Sequence, residues 1–148
     1  MPSRKPIEQE FCPVARSVDL IGDRWSLLIV RNAIDGMRRF GDFQRDLGVA
    51  RNILADRLRK LVDAGILAMQ GASDGTSYQE YVLTDKGESL FPIVVALRQW
   101  GEQHLFERGE RHSLLIDRRI GKPVPLMAPA AQDGTALKAQ DTEVQKVT

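Results

Sequence analysis

The sequence predicts an α+β fold with four helical patterns, a two-stranded hairpin and one further long helix, in that order. Apolar residues recur at the three- and four-residue spacing of amphipathic helices through most of residues 13–107, and glycines follow where these patterns stop. Two runs with β-branched or aromatic residues, 66–70 and 78–83, flank a segment of small and polar residues, as in a β-hairpin. We therefore expect one helical domain with a small antiparallel sheet.

The first two helices are predicted from the residues at their ends. Pro13 suits the first position of a helix, and apolar residues then recur at helical spacing until Gly22. Asp23 has the side chain of an N-cap, so a second helix is expected from there to about Ile34. These two helices would supply one layer of the core.

The next two helices are short and are separated by a tight turn. Residues 40–47 form a compact amphipathic pattern that Gly48 closes. Residues 51–64 carry leucines at helical spacing, and Gly65 follows at the position of a C-terminal cap. Two short helices joined by a glycine-containing turn are typical of a helix-turn-helix, and the hairpin that follows would be its wing. The fold predicted is a winged helix-turn-helix.

A long C-terminal helix is predicted from a cap at Thr84 to about Glu107, with a kink at Pro92. At about 1.5 Å per residue, such a helix would be roughly 35 Å long. It carries more apolar residues than a small domain needs on one helix. We therefore expect this helix and the first helix to assemble a homodimer.

The chain divides into four predicted segments. They are an N-terminal arm (1–11), a winged helix-turn-helix domain for DNA binding and dimerisation (12–108), a C-terminal extension with a small hairpin (109–127) and a tail (128–148). The hairpin strands are expected at 114–116 and 124–127. The tail has almost no large apolar residue with which to offset its ordering entropy, so we expect it to be disordered.

Composition excludes several classes of protein. With 43% hydrophobic and 28% charged residues, and charges interrupting every apolar run, the 148-residue chain is expected to be soluble and cytoplasmic, with no membrane partner. The single cysteine, Cys12, excludes an intrachain disulfide and a thiolate-rich metal cluster. Neither His104 nor His112 pairs with a recognisable ligand set or nucleophile. We therefore expect no metal, no cofactor and no enzymatic activity.

Positive charge is concentrated around the predicted helix-turn-helix. The net charge is only +1, but residues 37–60 contain seven Lys or Arg against three acids. At the start of the fourth helix, Arg51 can bind guanine and Asn52 adenine through paired hydrogen bonds, each worth about 1–3 kcal/mol of base discrimination. The candidate DNA-binding residues are Arg51, Asn52, Ala55, Arg59, Arg57, Lys60, Arg38, Arg39 and Arg45. Arg57 has a second interpretation, as a buried structural partner, and the wing tip at 73–77 has no Lys or Arg.

Residues 12–105 resemble the HxlR-type family of bacterial regulators, relatives of the MarR group. The motifs that carry the resemblance are Cys12-Pro13-Val14, Ile21-Gly22-Asp23-Arg24-Trp25, Arg39-Phe40-Gly41-Asp42-Phe43, Gly65-Ile66-Leu67 and Tyr81-Val82-Leu83-Thr84-Asp85-Lys86-Gly87. The chain departs from the pattern at Ala50, where such proteins often have a serine N-cap, and in a wing without the usual proline. The resemblance implies a homodimeric repressor that binds a pseudo-palindromic operator in double-stranded DNA.

Two interpretations of Cys12 stay open. Several HxlR-type proteins sense oxidants or electrophiles through a cysteine at this place, so the resemblance implies that Cys12 could be a redox sensor. Its place directly before the first helix also favours a reactive thiol. The alternative is a small residue packed where the first helix meets its dimer mate. A sensor would need a thiol from the other subunit or a small molecule, because the chain has no second cysteine.

Two further hypotheses compete with the redox-controlled regulator. Trp25, Phe91 and Trp100 could line a pocket for a small-molecule effector, although aromatic residues are more often part of the core. A winged helix can also serve protein–protein assembly and bind no DNA. Substituting Arg51 and Asn52 and measuring DNA retention would distinguish that last function from regulation.

Overall fold

The computed structural model describes residues 11–72 and 74–147, and these form two compact units whose boundary lies between Pro92 and Ile93. The helices and strands of the first unit are α1 (Pro13–Ile21), α2 (Arg24–Ile34), α3 (Phe40–Leu47), α4 (Arg51–Asp63), β1 (Leu67–Gly71), β2 (Gln79–Leu83) and α5 (Asp85–Glu88). This order of helices around a two-stranded sheet confirms the predicted α+β class. No described helix is long and apolar enough to cross a membrane.

The core of the first unit is built on the predicted leucine repeat of α4. Leu54, Leu58 and Leu61 are all completely buried, and α4 packs against α2 and β1. Ile29 of α2 and Phe43 of α3 are also fully buried. Each such burial stabilises the fold by roughly 1.5–3 kcal/mol. The opposite face of α4 is therefore left to solvent.

The helix ends follow the capping residues that the sequence indicated. The Asp23 carboxylate accepts hydrogen bonds from the backbone N–H groups of Trp25, at 3.1 Å, and Ser26, at 3.0 Å. Gly48 closes α3 in the left-handed conformation, with φ of +63°. Ala50 occupies the N-cap of α4 and makes no side-chain cap. The turn between α3 and α4 is thus set by Gly48, whereas α4 begins without the stabilisation that a serine would add.

Strands β1 and β2 form the wing. They pair antiparallel, with Leu67 opposite Leu83 and Gly71 opposite Gln79, each strand beginning one residue later than predicted. The link between α2 and α3 runs along this hairpin, because the Tyr81 N–H donates to the Arg38 carbonyl at 2.7 Å. The wing is therefore attached to the helix-turn-helix through backbone as well as through side chains.

The prediction of one long helix from Thr84 to Glu107, kinked at Pro92, is wrong. The Thr84 hydroxyl caps α5 by accepting the Gly87 N–H at 3.1 Å, and α5 ends at Glu88. A new helix, α6, then runs over Phe91–His104, with Pro92 in its first turn. Proline suits that turn because its missing N–H has no intrahelical partner there. The same residue that predicted a kink thus lies at the start of a separate helix.

The second unit consists of most of α6 and the segment after it. Its later elements are β3 (Ile116–Asp117), β4 (Lys122–Pro123) and a 3₁₀ helix (Ala139–Asp141). Strands β3 and β4 make a hairpin, but they are shorter than predicted and, apart from Ile116, lie in what was expected to be its connecting loop, since β4 precedes the predicted 124–127. The buried Gln99 side chain donates to the Pro125 carbonyl at 2.9 Å and accepts the Met127 N–H at 2.8 Å. Gln99 thereby fastens the extension to α6.

The segment 128–147 contains local hydrogen-bonded structure. Ala130 and Ala136 form an isolated antiparallel bridge, and the Ala131 N–H donates to the Thr135 carbonyl at 2.7 Å. Nearly all of its side chains are exposed. The disorder expected for residues 128–148 stays a prediction, to be tested in solution.

Candidate nucleic-acid interface

Helix α4 presents a solvent-exposed polar face opposite its buried leucines. The exposed residues on this face are Arg51, Asn52, Ala55, Arg59 and Lys60. Three of them lie in the first two turns, which is the part of a recognition helix that reaches base edges in the major groove. The burial of one face and the exposure of the other therefore leave the predicted base-reading residues accessible.

Arg51 lies at the first position of α4, beside α3. Its guanidinium carbon is 4.8 Å from the centre of the Phe40 ring. Among the described residues, Arg51 forms no ion pair with an acid. Such a cation–π contact does not occupy the N–H donors of the guanidinium with an acceptor. The hydrogen-bond donors of Arg51 thus remain available at the start of α4.

Three cations of α4 share one carboxylate. Asp56 pairs with Arg57 at 2.6 Å, with Arg59 at 2.7 Å and with Lys60 at 3.4 Å. Partial burial raises the pKa of Asp56, but Lys60 and the two arginines outweigh this, so the pKa lies below its usual value. The carboxylate therefore stays ionised and neutralises part of the positive charge on this helix. The exposed pairs to Arg59 and Lys60 are weak and can yield to a phosphate.

Arg57 occupies the structural position that was its second interpretation. Its side chain is only 28% exposed, and its Nε donates to the Asp23 carboxylate at 3.1 Å. The guanidinium thereby joins α4 to the residue that caps α2. Its hydrogen bond to Asp23, above all, raises the pKa of Arg57. The Arg57 guanidinium already pairs with two carboxylates, so it is poorly placed to bind a phosphate.

The two arginines of the α2–α3 link are directed to the wing. Arg38 pairs with Glu80 at 3.3 Å, and Glu80 is only 4% exposed. Arg39 pairs with Asp74, and its guanidinium carbon lies 4.9 Å from the centre of the Tyr78 ring. The sequence indicated phosphate contacts for both arginines and did not indicate these partners, which lie 35 and 42 residues away along the chain.

A cleft separates the start of α4 from the wing. Its volume is about 590 Å³, and Arg45, Arg51, Met69 and Tyr78 are among the residues that line it. Arg45 is exposed and pairs with Asp42 within α3. Arginines on the helical side and tyrosines on the wing side suit a polyanion that carries planar bases.

The candidate signal residues are dispersed. Cys12 is exposed and lies at the N-cap of α1. Trp25 and Phe91 belong to the first unit and Trp100 to the second, so the pocket predicted from these three stays a prediction. Trp100 is 57% exposed and lies against His104, with the ring centres 5.1 Å apart. Within residues 11–72 and 74–147, no cluster of three or more His, Cys, Asp or Glu could hold a metal.

Comparison with known proteins assigns the family. Residues 20–109 match the HxlR-like helix-turn-helix family. The HTH-type transcriptional regulator Rv3095 of Mycobacterium tuberculosis, itself uncharacterised, is 45% identical over 92 residues, which cover 62% of this chain and 58% of that protein. The regulator YybR of Bacillus subtilis is 34% identical over 65% of this chain and 78% of its own length. This chain thus matches little more than half of the mycobacterial relative.

Solved structures agree with that assignment. PA1607, a candidate transcription factor, has 52% identity and a TM-score of 0.89 over 95% of this chain and 98% of its own. The redox regulator HypR in its reduced form has 33% identity and a TM-score of 0.58 over 64% of this chain and 94% of its own. The predicted winged helix-turn-helix fold is thereby confirmed. The chain belongs to the HxlR-like helix-turn-helix family, and its named relatives are transcriptional regulators.

Proposed function

We propose that this protein is a sequence-specific DNA-binding regulator that acts as a homodimeric repressor on a pseudo-palindromic operator. The observation that carries the proposal is the exposed face of α4, on which Arg51 and Asn52 remain available beside the wing. Arginine suits guanine and asparagine suits adenine in the major groove. The names of the relatives support the same function. Such a protein would act in the cytoplasm, on double-stranded DNA.

The homodimer is supported by apolar side chains that a lone chain leaves in water. On α1, Val14 is 69% and Val18 is 56% exposed, and on α6, Leu97 is 50% exposed. Contiguous exposed apolar patches are uncommon on soluble monomers and often mark interaction surfaces. A second copy would cover them and set two α4 helices about 34 Å apart, one turn of DNA.

A gel shift with the intergenic DNA upstream of its own gene tests the proposal. We expect tight binding that weakens steeply between about 50 and 200 mM salt. Arg51→Ala should weaken specific binding about fivefold to 150-fold, because a bidentate base contact contributes about 1–3 kcal/mol. Asn52→Ala should relax the preference at one adenine. Arg108→Ala, an exposed arginine of the second unit, is the matched control and should change little.

The contrary results are equally specific. Binding no stronger than to unrelated DNA would contradict the proposal and favour a winged-helix module for protein–protein assembly. Equal effects of Arg51→Ala and Arg108→Ala would show that only overall charge matters, and α4 would then not be the reading helix.

For the signal, we propose oxidation or electrophile attack at Cys12, with a small-molecule effector as the alternative. The exposure of Cys12 and the likeness to a redox regulator support the thiol. Diamide should release wild-type protein from DNA and should leave Cys12→Ser bound. If Cys12→Ser is released as readily, the thiol is not the switch, and the small-molecule effector becomes the hypothesis to test.

A further inference from the structure

The wing is a short hairpin, and the pairing of its two strands alone gives it little stability. Strands β1 and β2 have five residues each, and residues 72–78 between them contain no Lys or Arg. A two-stranded hairpin is marginally stable in water by itself. A wing that must dock on DNA at a fixed angle therefore needs anchors from outside the hairpin.

The first anchor lies at the base of the wing. The Arg38 carbonyl accepts the Tyr81 N–H at 2.7 Å, and the Arg38 guanidinium pairs with Glu80 at 3.3 Å. Glu80 is 4% exposed, so the loss of a charged partner would leave it in a poorly hydrated place. The α2–α3 link thus binds β2 through both its backbone and a side chain.

The second anchor lies at the tip. Arg39 pairs with one carboxylate oxygen of Asp74, while the other oxygen accepts the Thr76 N–H at 3.0 Å. The Arg39 guanidinium also lies over the Tyr78 ring, with 4.9 Å from its carbon to the ring centre. The N–H and hydroxyl of Thr76, together with Arg39, lower the pKa of Asp74 to about 2, so the pair is charged at neutral pH.

We propose that Arg38 and Arg39 are positioning residues that hold the wing for DNA, and that they do not contact phosphates themselves. The inference rests on the proposed function. A carboxylate on a surface that meets DNA would otherwise only repel phosphates. Asp74 instead uses its charge to fasten the tip to the helix-turn-helix through Arg39.

The direction in which Asp74→Asn changes the affinity for DNA distinguishes a positioning role of Arg39 from a phosphate contact. Asp74→Asn keeps an oxygen for the Thr76 N–H and removes the charge that holds Arg39. If Arg39 positions the wing, binding to the upstream DNA weakens, by roughly twofold to fivefold for an exposed ion pair. If Arg39 contacts phosphate, the same change removes a repulsive charge and frees the guanidinium, so binding tightens. The matched control is Asp42→Asn, which frees Arg45 on the same cleft without touching the wing and should not weaken binding.

Hydrogen exchange on the DNA-free protein tests the anchor independently. Asp74→Asn and Arg39→Ala should both speed exchange of the Thr76 and Tyr78 amides, whereas Asp42→Asn should not. Arg39→Ala should also leave the salt slope of DNA binding unchanged, since a lost phosphate contact would lower it by about one.

Each outcome decides the matter. Faster exchange together with weaker DNA binding supports the inference. Unchanged exchange overturns it, and so does tighter binding by Asp74→Asn. If wild-type protein shows no specific DNA binding, the proposed function is wrong, and so is the role of Arg38 and Arg39 in holding the wing for DNA. That failure is visible in the wild type before any variant is compared.

Discussion

Replacing Arg57 by alanine is expected to destabilise the first unit without removing a contact to DNA. Arg57 donates to Asp23 at 3.1 Å and to Asp56 at 2.6 Å, and its side chain is 28% exposed. Hydrogen bonds between charged groups are worth about 1.5–3 kcal/mol where they are buried, and exposed ion pairs are worth at most about 1 kcal/mol. For this partly exposed group we expect a loss of about 1–2 kcal/mol in the free energy of unfolding.

Urea denaturation followed by circular dichroism measures that loss, with the slope m checked for constancy. In a thermal melt the same loss lowers Tm by roughly 2–4 °C per kcal/mol for a chain of this size. Arg59→Ala is the matched control, because Arg59 lies on the same helix, pairs with the same Asp56 and is 69% exposed. It should leave stability within about 0.5 kcal/mol of wild type.

DNA binding then separates the two interpretations of Arg57. Arg59→Ala should weaken binding and reduce its salt dependence, because an exposed cation on the reading face can reach a phosphate. Properly folded Arg57→Ala should keep the wild-type salt dependence. Wild-type stability in Arg57→Ala, combined with a reduced salt slope, would refute the structural role and restore the phosphate contact.

Three further predictions concern packing, acid and the extension. Gly87→Ala should lower the free energy of unfolding by more than about 2 kcal/mol, because the new Cβ would lie 2.2 Å from the Ile66 carbonyl oxygen. Gly101→Ala, whose Cβ would have no neighbour nearer than 3.9 Å, should be neutral or stabilising. Thermal melts of the two variants measure the difference. The free energy of unfolding should fall as the pH drops from about 4 towards 2. Burial alone would raise the pKa of Asp23, but hydrogen bonds from Ser26 and Arg57 hold it below 3.8. A stability that does not change over this range, or that falls as steeply with pH in Asp23→Asn, would contradict this. Gln99→Leu should speed exchange of the Met127 amide, and fast exchange there already in wild type would mean that the extension is not fastened.

The parts of the fold that the sequence predicted are those governed by short-range chemistry. The leucine spacing of α4 identified the buried face, since one turn of helix brings residues three and four apart together. Asp23 was recognisable as a cap because it bonds the N–H groups two and three residues later. The exposure of Arg51 and Asn52 followed from the same periodicity, as the face that the leucines do not occupy.

The sequence was insufficient where residues distant in the chain decide a helix boundary or an ion pair. Pro92 was compatible with a kink or with a first turn, and the local pattern could not choose between them. Gly87 lies inside α5, and its backbone is so close to the Ile66 carbonyl, 21 residues earlier, that no Cβ would fit there. Glu80, Asp74 and Asp23, which pair with Arg38, Arg39 and Arg57, lie 34 to 42 residues away along the chain, beyond any periodic signal.

Ion pairs change what the basic segment can do: Arg38, Arg39 and Arg57 have distant partners, and the others that are paired have partners within their own helices. Of the seven Lys or Arg in residues 37–60, six pair with carboxylates, and Arg51 is the exception among the described residues. A phosphate can replace the carboxylate at exposed Arg45, Arg59 and Lys60 with little loss of free energy, because surface ion pairs are weak. At Arg57 it would have to break the link between α4 and Asp23, the residue that caps α2. The positive charge counted from the sequence therefore overstates the charge available to phosphates, and we expect the salt dependence of the proposed DNA binding to correspond to the smaller number.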